Sequence, residues 1–527
     1  MHRSLQSGLR SLVDELLEEQ QKLTAADRFS HWHESACAAP GERYRALLPS
    51  TPLKEGQQYA FEVNLDACSG CKACVSACHS LNGLADEESW RSAGLMVSEN
   101  WREPRRQTIT TACHHCEDPA CANGCPTLAY EKDGITGIVA HLDDQCMGCG
   151  YCAMTCPYEV PQMEPSRGIV RKCDMCRQRL DAGEAPACVQ ACPSQAIRII
   201  AVERGSAPVS PRLLPSAPPS WITRPTTQYI STQPILLSSL VPENAVQISP
   251  GHGHWPLVVM LVFTQWGAGA AGAACFLATE NQASVLVCAI IALHIGLGAS
   301  VLHLGRPLQA WRAWLGWRKS WLSREVIGFG LFAAAVTAAG ALPHLGLVLP
   351  LLPQAAALIG IFAVITSGMV YHVTRRQVWA ASRSVGRFLG TAAVLGAATT
   401  AVITTVPVAV GIAVFCATAK LAAELRWARC DNPGLADETQ EGTDGPSPWM
   451  QARHHRLLTS SLGLSWRLRL TLGVIGVVLL GLALPGPVLR WLALAMLVSG
   501  ELLERLLFFQ SAVSWRMPGW RTPTTAK

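Results

Sequence analysis

The chain has 527 residues, of which 43 are Lys or Arg and 38 are Asp or Glu, so its net charge is only +5. This near balance gives no reason to expect a nucleic-acid partner. Only 15% of the residues are charged, against about a quarter in typical soluble domains, and 49% are hydrophobic. The composition excludes a single soluble globular domain and indicates membrane-spanning segments.

Residues 1–60 are predicted to form a polar extension with one short amphipathic helix, because leucines recur at helical spacing between Leu9 and Leu17. This helix could dock on a partner or fold back on its own domain. The start of the chain has no apolar core of a secretory signal and no twin-arginine pair. We therefore expect no export, and cysteines that stay reduced and available to metal.

Residues 61–204 form the second predicted unit and hold most of the cysteines. Of the 21 cysteines in the sequence, 17 precede residue 193. Two of the four cysteine groups have the C-x2-C-x2-C-x3-C spacing of bacterial ferredoxins, and the other two stretch one gap. The groups in sequence order are Cys68, Cys71, Cys74 and Cys78; Cys113, Cys116, Cys121 and Cys125; Cys146, Cys149, Cys152 and Cys156; and Cys173, Cys176, Cys188 and Cys192.

This spacing predicts four [4Fe–4S] clusters. Three closely spaced thiolates can wrap a cubane cluster through a loop, and the fourth cysteine of such a run binds the other cluster of a pair. Zinc is the alternative, since it also binds C-x2-C pairs, but its closed tetrahedral sites need only four ligands. We expect an α+β, double ferredoxin-like iron–sulfur domain with short strands near residues 59–63, 137–142 and 196–202.

Residues 205–253 contain nine prolines and almost no charge, which predicts an extended connector that lies along a surface and forms no core. Residues 254–527 then consist mainly of apolar runs, most of which reach the ~20 residues needed to cross a bilayer. We predict an all-α, polytopic membrane anchor of about eight transmembrane helices, or seven if one short run is buried. The runs are 255–278, 284–304, 326–342, 349–372, 388–404, 406–425, 470–484 and 488–509.

The cysteine domain resembles the four-cluster iron–sulfur subunit of complex iron–sulfur molybdoenzymes, and the dimethyl sulfoxide reductase type is the nearest kind. Besides the cysteine order, the motifs are Cys113-His-His-Cys-Glu-Asp-Pro-Ala-Cys121 and Lys172-Cys-Asp-Met-Cys176. The resemblance also implies which cysteines share a cluster. It gives four ligand sets, of which the first lies nearest a molybdenum partner and the fourth nearest the membrane. The implied sets are Cys68, Cys71, Cys74 and Cys192; Cys78, Cys173, Cys176 and Cys188; Cys113, Cys116, Cys121 and Cys156; and Cys125, Cys146, Cys149 and Cys152.

Residues 254–510 resemble the membrane anchor subunit of the same enzymes, so the chain looks like two fused subunits. The motifs are His254-Trp-Pro, Leu302-His-Leu-Gly-Arg-Pro307, Leu322-Ser-Arg-Glu325 and Gly500-Glu-Leu-Leu-Glu-Arg505. The resemblance implies exchange of electrons with quinone, with His303 and Glu325 at the quinone site and Arg306 as a further candidate. It also implies that no haem is bound.

Physical chemistry favours the same residues independently of the resemblance. Quinone chemistry couples two electrons to two protons, so a titratable group is needed within reach of each carbonyl. His303 and Glu325 lie at the two ends of one predicted loop, and ionisable groups near membrane helices usually mark a site or pathway. They could also simply cap helix ends. For Glu501 and Arg505, an ion pair four residues apart and a contact with quinone both remain open.

Together these patterns predict the electron-transfer and membrane-anchor subunit of a molybdopterin oxidoreductase, which passes electrons between the quinone pool of the lipid membrane and a separate catalytic subunit. No P-loop, dinucleotide fingerprint or nucleophile elbow indicates a further active site. One alternative is an electron conduit for a hydrogenase or polysulfide reductase type of catalyst. Another is a zinc-bound structural membrane protein.

Basic residues predict the orientation in the membrane. They are concentrated in the loops after the second and fourth predicted helices and in the C-terminal tail, whereas the opposite loops offer little beyond Glu280 and Arg490. Because basic residues in short loops stay in the cytoplasm, we expect this side to be cytoplasmic. With an even number of helices, the iron–sulfur domain would lie on the cytoplasmic side of the inner membrane.

Overall fold

The structure is a computed structural model that describes residues 47–49, 51–98, 104–205, 210–215, 217–232, 240–243, 249–404, 406–430, 448–482, 486–513 and 517. The predicted amphipathic helix between Leu9 and Leu17 lies outside these residues. The end of the predicted extension belongs to the cysteine domain, because Leu47 is buried in its core and the first strand begins at Gln57.

The cysteine domain consists of small sheets and short helices. Its helices are α1 Ala73–Leu81, α2 Ala120–Gly124, α3 Tyr151–Thr155, α4 Arg177–Asp181 and α5 Ala187–Gln190. Its strands are β1 Gln57–Asn64, β2 Ser92–Ser98, β3 Arg106–Thr111, β4 Tyr130–Lys132, β5 Val139–His141, β6 Gln162–Glu164, β7 Ile169–Arg171, β8 Ile197–Glu203, β9 Gln228–Ile230 and β10 Leu240–Pro242. The sheets have the orders β8-β1-β9, β10-β2-β3, β4-β5 and β6-β7.

Strand pairing explains which cysteine groups meet. β1 ends shortly before the first group and β8 begins shortly after the fourth, and the two strands run antiparallel with Val63 opposite Ile197. This pairing brings the first and fourth groups to the same end of the sheet. The hairpin of β4 and β5 likewise joins the second group to the third, since Tyr130 lies opposite His141.

The prolines after residue 204 do not mark a free connector. β9 pairs in parallel with β1, and β10 pairs antiparallel with β2. Leu214, Ala217 and Leu240 are buried in the core of the cysteine domain. The prediction that this segment forms no core is therefore wrong for its described residues. Its strands are held by backbone pairing and its buried side chains are few, so the sequence shows no hydrophobic periodicity that would have indicated a core.

The second half of the chain is helical, and each predicted apolar run corresponds to one long helix. These are α6 Trp255–Ala274, α7 Thr279–Val301, α8 Trp321–Ala341, α9 Leu352–His372, α10 Ala381–Thr404, α11 Pro407–Cys430, α13 Gly463–Leu482 and α14 Pro487–Gln510. Within the described residues, seven helices are long and apolar enough to span a membrane. The eighth, α14, is long enough but carries four charged side chains. An additional helix that was not predicted, α12 Pro448–Thr459, precedes α13.

Helix α6 lies at the centre of the membrane domain, with 67% of its apolar window buried. Its small residues allow close approach of the neighbouring helices, as is typical inside membranes. A Cβ atom on Gly269 would lie 1.8 Å from the Ala392 carbonyl oxygen of α10, so only glycine fits this crossing. The chain is thus a cysteine domain followed by a multi-pass membrane domain.

Candidate functional site

The structure brings the sixteen cysteines together in four sets. We number these sites 1 to 4 in the order given for the ligand sets above. Cys113, Cys116, Cys121 and Cys156 of site 3 line one cavity. In the other three sets the thiols are close electrostatic neighbours. At site 1, Cys68 neighbours Cys71, Cys74 and Cys192. At site 2, Cys78 neighbours Cys173, Cys176 and Cys188, and at site 4, Cys149 neighbours Cys125, Cys146 and Cys152.

The four sets of thiols are compatible with clusters of several metal atoms. Among the described residues, no three Cys, His, Asp or Glu side chains are placed to share one metal ion. A structural zinc site needs four ligands within about 2.3 Å of one ion. A cubane cluster is larger than one ion, so the four thiols that hold it need not converge on a single point.

Burial makes these thiols depend on metal for their charge. Loss of solvent raises the pKa of Cys149 and of Cys156 to about 12, so neither is a thiolate at neutral pH without a compensating cation. Binding of a cluster supplies that compensation and releases protons. Backbone amides stabilise the sulfurs at matching places in the two halves: the Ala129 amide donates to Cys125 Sγ at 3.2 Å, and the Ala196 amide donates to Cys192 Sγ at 3.3 Å.

Two buried cations lie between the sites, and sequence reasoning missed the role of both. Arg91 is 2% exposed, donates to Thr110 Oγ1 at 3.2 Å and lies near thiols of sites 1 and 2. Lys172 is 3% exposed, donates to the carbonyls of Val139 and Cys173, and lies near thiols of sites 2 and 3. Each cation can offset the negative charge of neighbouring clusters. Lys172 belongs to the Lys172-Cys-Asp-Met-Cys176 motif, so the sequence places it beside the cysteines. Nothing in the sequence distinguishes Arg91 from a surface arginine.

The four sites form a line that leads to the membrane domain. Cys74 of site 1 neighbours Cys188 of site 2. Cys173 of site 2 neighbours Cys113 of site 3. Cys152 of site 4 in turn neighbours Cys121 of site 3. Site 1 reaches the surface, because Cys71 is exposed.

Site 4 docks on the loop between α7 and α8 through backbone contacts. The Gly305 amide donates to the Gly148 carbonyl at 3.2 Å, and the Arg306 amide donates to the Met147 carbonyl at 3.0 Å. The guanidinium of Arg306, a further candidate for the quinone site, donates to the Asp143 carbonyl at 2.8 Å and to the Arg167 carbonyl at 3.2 Å. Its position makes Arg306 a docking residue, since its donors are directed at the cysteine domain.

Tyr151 is the side chain that links site 4 to the membrane helices. It follows Cys149 by two residues, is 2% exposed, and packs in the hydrophobic core of the membrane domain. Its hydroxyl donates to the Val370 carbonyl of α9 at 2.7 Å. It lies within electrostatic range of Glu325 and of Tyr371.

Glu325 and His303, the predicted quinone-site pair, both carry a buried polar atom without a well-aligned hydrogen-bond partner among the described residues. Glu325 is 3% exposed, and its Oε1 has no hydrogen-bond partner among the described residues, although the Ser367 hydroxyl lies beside the carboxyl. The Nδ1 of His303 has no well-aligned partner within the described part of the protein, although the Ser300 carbonyl is nearby. Burial lowers the pKa of His303, which keeps the imidazole neutral at pH 7.

His254 and aromatic rings connect His303 to Glu325. His303 is an electrostatic neighbour of His254, whose ring lies 5.5 Å from that of Phe509. The Phe509 ring lies 5.7 Å from Tyr371, which lies near Glu325. Burial lowers the pKa of His254 to about 4. The arrangement is a protonatable, aromatic-lined region directly beside site 4.

Glu501 and Arg505 lie farther inside the membrane domain than this region. Glu501 pairs with Lys420 at 2.5 Å and with Arg469 at 2.9 Å, whereas Arg505 lies 3.4 Å from Glu504. Glu501 therefore pairs with residues of other helices, and Arg505 pairs with the adjacent Glu504. Among the described residues, these ion pairs are formed in place of the possible pair between Glu501 and Arg505.

Comparison with known proteins agrees with this architecture. Residues 105–201 match the 4Fe-4S dicluster domain family, and residues 248–422 match the DMSO reductase anchor subunit (DmsC) family. The sequence is 37% identical over 148 residues to the B subunit of the anaerobic dimethyl sulfoxide reductase of Escherichia coli strain K12, covering 27% of this protein and 72% of that one.

Two further relatives show how widely the cysteine domain is shared. The B subunit of the anaerobic dimethyl sulfoxide reductase of Haemophilus influenzae is 34% identical over 180 residues, covering 32% of this protein and 87% of that one. The iron-sulfur subunit of the nitrate-inducible formate dehydrogenase of Escherichia coli strain K12 is 32% identical over 167 residues, covering 28% of this protein and 57% of that one. The protein therefore belongs to the family of dimethyl sulfoxide reductase iron–sulfur subunits, fused here to a membrane anchor of the same enzyme type.

Proposed function

We propose that the protein carries electrons between the membrane quinone pool and a separate molybdopterin catalytic subunit, through four [4Fe–4S] clusters at sites 1 to 4. The observation that carries this proposal is the line of cysteine sites between exposed Cys71 and Tyr151, which reaches into the membrane domain beside Glu325. Such a line offers electrons a path from the protein surface to the membrane.

The residues along this line have distinct tasks. Each cluster, when bound, accepts and releases one electron. Amides that donate to Cys125 and Cys192 stabilise the charged sulfurs, and hydrogen bonds of this kind tune reduction potentials. Arg91 and Lys172 offset added negative charge in an interior where water cannot.

Quinone would bind between His303 and Glu325. Both side chains carry an unpaired buried atom among the described residues, and both can exchange protons as the ring is oxidised or reduced. The neutral His303 can accept a proton or donate a hydrogen bond to one carbonyl, and Glu325 can serve the other. Tyr151 fills the space between this region and site 4, so it holds the two at a short distance.

The catalytic partner would dock at the other end of the line, where Cys71 is exposed. The relatives named as subunits of dimethyl sulfoxide reductase support a partner of the molybdenum type. Identification of the large subunit that copurifies with the protein would name the substrate. A nickel–iron hydrogenase subunit in that position would replace the molybdopterin proposal.

The cysteine domain would face the cytoplasm at the inner membrane. It contacts the same loops that carry the basic residues, through Arg312, which donates to the Asp144 carbonyl at 2.9 Å, and through Arg376, which lies 3.3 Å from Glu159. Basic loops are retained in the cytoplasm. A thiol label or protease applied to intact cells should spare residues 1–250, and cleavage there without lysis would reverse the orientation.

One experiment tests the electron-transfer function as a whole. The complex is purified without oxygen, its iron and zinc are measured, and a reduced quinone analogue is added while the visible absorbance of the clusters is followed. We expect about sixteen irons per molecule, from four clusters of four irons, and bleaching by the quinol. Stoichiometric zinc with negligible iron, or clusters that only a strong chemical reductant bleaches, would contradict the proposal.

A further inference from the structure

A network of charged side chains lies inside the membrane domain, apart from the cysteine sites. We call it the buried ion network, and its members are Arg387 and Thr391 of α10, Lys420 and Glu424 of α11, Arg469 of α13, and Glu501, Glu504 and Arg505 of α14. Lys420 lies 2.5 Å from Glu501, and Arg469 lies 3.0 Å from Glu424. Charges inside a membrane domain are costly and rare, and they usually mark a pathway.

The hydrogen bonding of this network is incomplete. Among the described residues, both carboxylate oxygens of Glu504 are buried without a hydrogen-bond partner, as are Nε and Nη1 of Arg505 and Oε2 of Glu424. Within the part of the chain that the structure describes, Glu504 forms ion pairs at 3.4 Å to Arg505, 3.7 Å to Arg387 and 4.0 Å to Lys420.

Unpaired buried polar atoms indicate internal water in this network. A buried polar group without a hydrogen bond is destabilising, and ordered water is the usual way to remove that cost. Carboxylates that are bridged by water are the parts from which proton pathways in membrane proteins are built.

The network adjoins the proposed quinone site through one layer of aromatic rings. The guanidinium of Arg505 lies 4.1 Å from the centre of the Phe388 ring. Tyr371 packs edge-on against Phe388 at 5.7 Å and against Phe508 at 5.1 Å. Tyr371 is also within electrostatic range of both Glu325 and Arg505.

The network also has a member near the side of the cysteine domain, Arg387, which shares Glu504 and the Phe508 ring with Arg505. Arg387 is its most accessible ion-paired member, with 13% of its side chain exposed, against 5% or less for the others. It lies six residues after the start of α10 at Ala381, which is a depth of about 9 Å. Arg376, in the loop before α10, contacts Glu159 of the cysteine domain.

We propose that the buried ion network conducts protons between the quinone site at Glu325 and the membrane surface on the side of the cysteine domain. This inference rests on the proposed quinone function. Oxidation of one hydroquinone breaks its two O–H bonds, sends two electrons to the cysteine-bound clusters and releases two protons into the network. Reduction of quinone takes up the same two protons and two electrons. Glu504 is the central carrier, because a proton can reach it without breaking a hydrogen bond among the described residues.

The test compares Glu504→Gln with wild type in the complete complex, reconstituted in liposomes of neutral phospholipid. A reduced quinone analogue drives cluster reduction, which is followed in H2O and in D2O, and a strong chemical reductant serves as a reference that needs no proton release. Loss of a proton-transfer group typically slows a reaction by about 100-fold or more. We expect such slowing with quinol, a larger solvent isotope effect, partial rescue by Glu504→Asp, and an unchanged chemical reduction.

Glu280→Gln is the matched control, because Glu280 is an exposed carboxylate at the start of α7. If the Glu504→Gln variant does not assemble, the double variant Arg387→Gln with Glu504→Gln is tested instead, because it removes one positive and one negative charge together. A variant with the wild-type rate and isotope effect would overturn the proton pathway while the quinone site stands. Failure of quinol to reduce the wild-type clusters would overturn the quinone site, and the pathway with it.

Discussion

The contact of Gly305 with the cysteine domain should determine whether quinol electrons reach site 4. A Cβ atom on Gly305 would lie 2.2 Å from the Gly168 carbonyl oxygen, whereas Cβ contacts in proteins are essentially never shorter than 3.0 Å. The obstructing atoms are backbone, so Gly305→Ala must move the loop. Overpacking of this kind costs about 1–3 kcal/mol, and loss of the Gly305 and Arg306 amide hydrogen bonds adds about 1 kcal/mol each.

A total cost of about 3–5 kcal/mol would shift the docking equilibrium by about a hundredfold or more. We expect Gly305→Ala to bind iron as wild type does, and to be reduced normally by a chemical reductant but slowly by quinol. Hydrogen exchange should increase in residues 146–151. Gly298→Ala on the preceding helix is the control, because a Cβ there meets nothing within 4 Å. Wild-type quinol rates and wild-type protection in Gly305→Ala would refute the docking role.

Three further outcomes are expected. Cys149→Ser should lower the iron content by about one to four irons per molecule, measured by metal analysis, whereas the control Cys288→Ser, in membrane helix α7, should leave it unchanged. His303→Ala and Glu325→Gln should each abolish quinol-driven bleaching with full iron content, and parental rates in both would contradict the quinone site. His254 has a folded pKa of about 4 against 6.5 in the unfolded state, so the unfolded state binds a proton first as the pH falls. Its contribution is fully present above pH 6.5 and is lost between pH 6.5 and 4, by about 2 kcal/mol at pH 5. Unfolding midpoints at pH 7.5 and pH 5 should therefore differ less in His254→Asn than in wild type, and equal differences would refute this assignment.

The chemistry of the cysteine domain could be predicted because metal ligation is encoded locally. A C-x2-C-x2-C run places three thiolates on one loop whatever surrounds it, so the iron–sulfur assignment needs no tertiary structure. The membrane helices were predictable for a similar reason, since a bilayer requires about 20 apolar residues in succession. The family matches over residues 105–201 and 248–422 confirm both predictions.

The connector between the two domains could not be predicted well. Its prolines and small residues indicate an extended backbone, and β9 and β10 are indeed extended. Whether such a segment is free or adds a strand to a sheet depends on an open strand edge elsewhere in the protein. β1 and β2 provide those edges more than 130 residues earlier.

By itself, the sequence determined the cofactor class and the positions of the long apolar helices, and it came close to their number, because each depends on residues that are neighbours along the backbone. Only the tertiary structure decided that Arg306 docks the cysteine domain, that Tyr151 reaches α9, and that Lys420 meets Glu501. Lys420 and Glu501 are 81 residues apart and lie on different helices. The energy of a buried charge depends on what surrounds it after folding, and no local pattern records those surroundings.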